Sequence, residues 1–188
     1  MIEFFLSVGV WALLGLVLIS VRQVNQYERG VKFTFGKFTG IAEPGWRLVW
    51  PVIQIMKKVD MRTKAVEVPY QEAITKDNVS CKINAVIYYR IADAGRSIIE
   101  VENVWNAASQ LAQTTMRNVV GEMSLDALLA ERDQASDRIK QLIADHTANW
   151  GIEVQGVELK DISLPDDMQR TIAKQAEAER ERRAVIIN

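Results

Sequence analysis

The sequence predicts an α+β body carried on one N-terminal membrane helix and followed by the start of a long, charged coiled-coil helix. Three observations predict it. The stretch Phe4–Val21 is uncharged and apolar almost throughout. Residues 22–92 alternate apolar and polar side chains with the period of a strand, and from Asp93 the apolar spacing becomes helical. After Pro165 the wide apolar face disappears and alanine and charge take its place. The expected division is an anchor at 1–22, a strand-rich part at 23–92, an α/β part at 93–165 and the charged helix from 166 to 188.

The first stretch reads F-F-L-S-V-G-V-W-A-L-L-G-L-V-L-I-S-V. At ~1.5 Å per residue this helix spans roughly 27 Å, close to the ~30 Å hydrocarbon core of a bilayer. Its anchoring side chains are Phe4, Phe5, Leu6, Trp11, Leu13, Leu14, Leu16, Val17, Leu18, Ile19 and Val21. A cleaved signal peptide would start basic and end on small residues. Here Glu3 precedes the run, and it ends Leu18-Ile19-Ser20-Val21. A core helix of a globular domain would carry a polar face. A hairpin dipping into one leaflet would need a break, and the first proline is Pro44. A single span is therefore expected. Arg22, Arg29, Lys32 and Lys37 follow it, opposed only by Glu28, whereas no Lys or Arg precedes it. Basic flanks stay inside, so the expected protein is single-pass in the cell (inner) membrane, with its body on the cytoplasmic side.

About 165 residues remain after the anchor, enough for one domain with its own core and an extension. The 23 basic and 24 acidic residues leave a net charge of -1, which argues against a nucleic-acid partner. Cys81 is the sole cysteine and His146 the sole histidine. An intrachain disulfide and a cysteine metal site are excluded, along with most catalytic constellations.

The first strand is expected at Val31, Phe33 and Phe35, between Gly30 and Gly36. Glu43-Pro44-Gly45 is a turn. Trp46, Leu48 and Trp50 then alternate with Arg47 and Val49 until Pro51, and Ile53 and Ile55 lead to Lys57-Lys58. The apolar, aromatic and basic character of Trp46, Leu48, Trp50, Lys57 and Lys58 suits lipid headgroups. An ordinary core strand and turn accounts for it equally well. Val66 and Val68 flank Glu67, and Pro69 should end that run.

Val79 to Ile91 carries the clearest strand signal, because every odd residue is apolar. Cys81 falls on that face, as a small core residue would. Asp93 caps a helix from Ala94 to Val101, and Asn103 a second from Val104 to Val120, with Gly121 as its stop. Ser124 opens a third helical segment with Leu128, Ala135, Ile139, Leu142 and Ile143 as its stripe and Gly151 at its end. His146 sits late on it as a surface residue. Ile152, Val154, Val157 and Leu159 form a final strand whose phase shifts at Gly156.

Asp166 and Asp167 open the last helix, where the dipole favours negative charge. Arg170, Lys174, Ala176, Glu177, Glu179, Arg180, Arg182 and Arg183 give it mixed charge and small side chains, a surface suited to oligomerisation. A helix without a wide apolar face needs a partner or extension. Asn188 falls inside it, so the natural chain is expected to continue.

Several short stretches resemble one family. Gln26-Tyr27-Glu28-Arg29-Gly30, Gly36-Lys37 and Pro44-Gly45 before an apolar run to Pro51 resemble the entry to an SPFH (stomatin/prohibitin/flotillin) domain. Val59-Asp60-Met61-Arg62-Thr63, Thr75-Lys76-Asp77-Asn78-Val79 and Leu111-Ala112-Gln113-Thr114-Thr115-Met116-Arg117 resemble stomatins more narrowly, in the prokaryotic slipin form. So do Tyr88-Tyr89-Arg90, Trp150-Gly151-Ile152 and Val157 to Pro165 with Met168-Gln169. The resemblance implies a band-7 fold, a twisted and mostly antiparallel sheet with packed helices. It implies a non-enzymatic membrane scaffold that forms large rings or cages of itself, organises membrane microdomains and confines membrane proteins. An NfeD-type membrane serine protease is an implied partner. The bend proline and the palmitoylated cysteines of animal stomatins have no match here.

The rival functions are weaker. No G-x-S-x-G, P-loop, G-x-G-x-x-G or H-E-x-x-H occurs, so neither an enzyme nor a bound cofactor or metal is expected. A channel subunit would need a polar path that one uncharged span does not offer. An adaptor or chaperone for one membrane protease or channel remains the alternative to large-scale scaffolding.

Overall fold

The computed structural model describes residues 20–165 together with Trp11 and Gly15. The expected anchor residues Phe4, Phe5, Leu6, Leu13, Leu14, Leu16, Val17, Leu18 and Ile19 lie outside the described residues, and so does the helix from Asp166. Among the described residues no helix is long and apolar enough to cross a membrane. Val21 and Arg22, placed in the anchor by the sequence reading, are instead the first residues of a strand.

That strand, β1 (Val21–Val24), pairs antiparallel with β4 (Gly45–Leu48) in a two-stranded ribbon. A second sheet has β2 (Glu28–Thr34) between β3 (Lys37–Ala42) and β5 (Gln54–Asp60), both antiparallel to it. The third sheet has β7 (Ser80–Ile91) between β6 (Lys64–Ile74) and β8 (Ile152–Ser163). The helices are α1 (Ala94–Ile99), α2 (Val104–Glu122), α3 (Leu125–Ala130) and α4 (Arg132–Thr147), with a 3-10 turn over Ala148–Trp150.

Three expectations fail for local reasons. Phe35 is not a strand residue: β2 ends at Thr34, and Phe35 and Gly36 form the hairpin turn with φ of 49° and 81°. Positive φ at both central positions matches the twist of a two-residue hairpin. Pro69 does not stop its run. β6 passes through it because β6 lies at a sheet edge, where a missing N–H need break no ladder bond. Gly121 does not stop α2, which runs on to Glu122.

The caps at Asp93, Ser124 and Gly151 follow the sequence. The Asp93 carboxylate accepts from the N–H groups of Gly95 (2.9 Å) and Arg96 (3.1 Å), and the Ser124 hydroxyl from that of Ala127 (3.3 Å). Gly151 closes the last helical turn in the left-handed region, φ 71°. The T-K-D-N-V stretch is a latch. The Thr75 hydroxyl donates to Asp77, and the Asp77 carboxylate also accepts the Leu125 N–H at 3.1 Å. Lys76 donates its N–H to the Met123 carbonyl at 2.9 Å. The Thr75 hydroxyl foremost, with the backbone N–H groups of Asp77 and Leu125, holds the Asp77 carboxyl below its ordinary range.

The chain forms two compact units with interleaved segments. Among the described residues, one gathers those up to Lys64 with Tyr89–Val104 and Thr147–Glu153; the other gathers Ala65–Tyr88, Trp105–His146 and those from Val154 to Pro165. The second unit holds the larger core. Cys81, Ile83, Ala85 and Ile87 of β7 meet Ala112, Met116 and Val119 of α2, Leu128 of α3, and Ala135, Ile139 and Ile143 of α4. The odd face of β7 is therefore the buried one. Burial pushes the Cys81 thiol up. In β8 the buried positions 152 and 154 give way to 157, with Leu159 partly buried, so the phase shifts at Gly156. The first unit has a small core of Val31, Val59, Ile91 and Ala94, flanked by Phe33, Met61 and Ile98.

Candidate membrane-facing surface

The two ends of the β2–β5 ladder differ in chemistry. In this ladder Glu28 lies opposite Asp60 at one end, and Phe33 and Thr34 lie opposite Ile55 and Gln54 at the other. Seven residues at ~3.3 Å put these ends roughly 20 Å apart.

The first end is polar and tied down. The Asp60 carboxylate accepts the Arg62 N–H at 3.0 Å and takes its guanidinium through Nε (3.1 Å) and Nη2 (2.8 Å). The Arg62 hydrogen bonds, side chain first, pull the Asp60 carboxyl from 3.8 down to about 2. The guanidinium lies 4.3 Å from the centre of the Tyr27 ring, a cation–π contact. Met61 donates its N–H to the Tyr27 carbonyl at 2.9 Å. The V-D-M-R-T and Q-Y-E-R-G stretches thus close one end of the unit. Gly30 belongs to the same design, since a Cβ there would come 2.5 Å from Met56 Sδ.

The other end is apolar and wet. Phe35 at the hairpin tip is 83% exposed and Val52 in the β4–β5 turn 89%; Ile53 and Ile55 are exposed as well. Backbone hydrogen bonds join these residues. Phe35 donates its N–H to the Ile53 carbonyl (3.0 Å), and Ile53 and Gln54 donate theirs to the Trp50 carbonyl (3.2 and 2.8 Å). Val49 donates to the Ser20 carbonyl (2.8 Å), which ties this end to the residue where the apolar N-terminal stretch gives way to β1. In the ribbon beside it, Leu48 lies opposite Val21 and Trp46 opposite Gln23.

The sequence offered two readings of Trp46, Leu48 and Trp50. All three are exposed, Trp46 to 75%, while Val49 is buried. Trp46 and Leu48 lie on β4 and Trp50 just beyond its end, so none of the three packs in a core. Lys57 and Lys58 are exposed beside them. Lys58 reaches Glu28 only at 3.8 Å, and Lys32 Nζ donates to the Leu48 carbonyl at 3.4 Å. Lys32 therefore lies against one residue of the apolar rim.

Sequence reasoning missed Phe35, Val52, Ile53 and Ile55. One signal was available: Trp50-Pro51-Val52-Ile53 is a proline-broken turn without a polar residue, and exposed apolar runs in turns are function or error. Phe35 gave none, because a strand-forming residue before Gly36 looks like the end of the strand. Its positive φ costs roughly 1–2 kcal/mol for a non-glycine residue, so the hairpin holds an aromatic ring at its tip against a local preference.

Nothing on this surface resembles catalytic machinery. Among the described residues no three His, Cys, Asp or Glu side chains cluster closely enough to hold a metal ion. His146 is exposed near the end of α4, and Cys81 is buried.

Comparison with known proteins agrees with the short motifs. The model of the SPFH domain / Band 7 family matches residues 22–188. A stomatin homolog of Pyrococcus abyssi is 44% identical over 185 residues, covering 98% of this chain and 69% of that protein. Stomatin-2 of Caenorhabditis elegans is 41% identical over 191 residues, 94% of this chain and 51% of its own. Stomatin of Mus musculus is 38% identical over 173 residues, covering 91% of this chain and 61% of the mouse protein.

Proposed function

The chain belongs to the SPFH domain / Band 7 family, and on that premise we propose that it is a non-enzymatic scaffold seated on a membrane. The apolar rim of Phe35, Trp46, Leu48, Trp50, Val52 and Ile55 is the observation that carries the reading. Exposed apolar patches of this kind mark membrane or protein contact sites. Here the patch adjoins the end of an uncharged apolar stretch, and Arg22 and Lys58 line a cleft with Val49, Pro51 and Ile55. Burying one such side chain in the interface stabilises by up to about 1.5–3 kcal/mol. Several together add to what a single span supplies.

In this reading the apolar stretch before β1 spans the membrane once and the body lies on the cytoplasmic side. Copies assemble through the helix from Asp166, where Arg170, Lys174, Glu177, Glu179, Arg180, Arg182 and Arg183 meet opposite charges on a neighbour and Ala176 allows close approach. One exposed ion pair contributes only ~0.2–1 kcal/mol. A closed ring repeats the contact, and tethering in one membrane plane raises the effective concentration. Such a ring would enclose a membrane microdomain and confine membrane proteins, an NfeD-type serine protease among them.

Size tests the assembly. Full-length protein extracted with its lipids should sediment as a very large particle and appear as rings or cages in electron micrographs. Ending the chain at Pro165 should leave a folded, membrane-bound body in small complexes. Large particles that survive this truncation would move the seam into residues 25–165. Small complexes from the full chain would favour an adaptor for a single protease or channel.

A further inference from the structure

A cleft of about 330 Å³ opens beside the apolar rim, at the small end of the ~300–1,000 Å³ range of ligand sites. Arg22 and Lys58 contribute its charge; Val49, Ile55 and Met56 form its apolar wall. No carboxylate lines it. Gln54, its remaining polar side chain, is engaged elsewhere: its amide accepts the Trp50 N–H and donates to Thr34, both at 3.4 Å.

The two cations differ from their neighbours. Arg22 lies opposite Arg47 in the β1–β4 register, and like charges directly opposite each other are unfavourable. Arg47 has its own partner in Glu43, through a 3.8 Å ion pair and a 3.1 Å hydrogen bond to the Glu43 carbonyl. Arg22 has no carboxylate partner among the described residues. Lys58 has only the long contact to Glu28. Two cations with this little compensation, over an apolar wall, suit a ligand that is anionic at one end and hydrocarbon at the other.

We propose that this cleft binds the headgroup phosphate of an anionic phospholipid between Arg22 and Lys58, with the acyl chains leaving along Ile55 and the exposed rim. The assignment rests on the reading that the rim lies at a bilayer. The guanidinium of Arg22 offers paired N–H donors to phosphate oxygens, and Lys58 supplies a point charge. Arg22 directly follows the apolar stretch, at the depth where headgroups sit. A cleft of this size takes one headgroup and not a whole lipid.

The test titrates full-length protein in nonionic detergent with short-chain phosphatidylglycerol, short-chain phosphatidylcholine and glycerol 3-phosphate, read by calorimetry. Phosphatidylglycerol should bind about tenfold tighter than phosphatidylcholine, and glycerol 3-phosphate should bind more weakly than phosphatidylglycerol. Arg22→Gln and Lys58→Gln should each remove most of the preference. Lys64→Gln, at the polar end of the same unit and outside the cleft, should leave it intact. Equal losses in the Lys64 and Lys58 variants would mean diffuse surface charge and overturn the site. Glycerol 3-phosphate binding as tightly as phosphatidylglycerol would make it a soluble-phosphate site and overturn the lipid assignment. The membrane reading is read separately, from quenching of Trp50 by brominated acyl chains in vesicles. Quenching without a headgroup preference overturns the cleft alone; absence of quenching removes the bilayer and the lipid occupant together.

Discussion

Replacing Gly151 by alanine is the sharpest test of the packing around the first unit's core. Gly151 closes the helical segment at φ 71°, and its carbonyl accepts the N–H groups of Ala92 (2.9 Å) and Asp93 (3.0 Å). A Cβ there would lie 2.6 Å from the Asp93 carbonyl oxygen and 3.0 Å from the Cβ atoms of Asp93 and Arg96. The closest atom is backbone, and the adjoining amide is held by Gly151 itself, so neither side can yield without breaking a hydrogen bond. The left-handed conformation costs alanine about 1–2 kcal/mol. Overpacking against a fixed wall costs about 1–3 kcal/mol more. The sum, roughly 2–5 kcal/mol, lowers the melting temperature by roughly 5–15 °C for a domain of this size. Gly36→Ala is the control. Gly36 has a similar φ of 81°, but its Cβ would meet nothing within 4 Å, so it carries the conformational penalty without the clash. Thermal melts in detergent should show the Gly151 variant losing clearly more stability than the Gly36 variant. Equal losses would show that the close approach to Asp93 exerts no constraint and refute the reasoning.

Three further outcomes follow from the same structure. Ile83→Asp places a carboxylate at a fully buried position of β7. Losing the side chain and burying an unpaired charge together cost several kcal/mol, and the variant should be largely unfolded by circular dichroism, whereas Lys82→Asp on the opposite face should fold. Asp60 is held down to about 2, so its ion pair with Arg62 stabilises the fold above pH ~4 and loses that contribution as the pH falls toward 2. Asp60→Asn should therefore lower the melting temperature at pH 6, and the gap to the unmodified protein should close as the pH drops from 4 to 2. Asp77→Ala leaves the Leu125 N–H without its 3.1 Å acceptor. It should cost about 1–2 kcal/mol, the usual range for a lost helix-end acceptor, seen as faster hydrogen exchange at Leu125.

Much of the strand and cap pattern in both units was legible because its signals are local and redundant. The strict alternation from Cys81 to Ile91 gave both the strand and its buried face. Asp93, Ser124 and Gly151 stand where caps are expected, and Gly156 marks the phase shift in β8. The errors fall where a residue's usual meaning depends on its neighbours in space. Pro69 ends a central strand but is tolerated at an edge. Gly121 can stop a helix, yet α2 passes through it. Phe35 prefers strands, but the two-residue turn takes it.

The rim shows the deeper limit. The spacing of Trp46, Leu48 and Trp50 fixes that they share a face, and it is identical for a strand packed on a core and one turned outward. Only the burial of Val49 and the exposure of its neighbours decide. The same holds for Arg22 and Lys58, thirty-six positions apart in sequence and brought to one cleft by the pairings of β1 with β4 and of β2 with β5.

The central claim, that the rim of the first unit lies in a membrane, is tested most directly by depth-resolved fluorescence quenching. Variants retaining only Trp46 or only Trp50, with the other tryptophans replaced by Phe, are placed in vesicles whose acyl chains carry bromine at successive depths. A third variant on a tryptophan-free background carries Tyr27→Trp, at the polar end of the same ladder roughly 20 Å away. The account predicts strong quenching of Trp46 and Trp50 by the shallowest bromines and none at position 27. Equal quenching at all three positions, or none at 46 and 50, would contradict it.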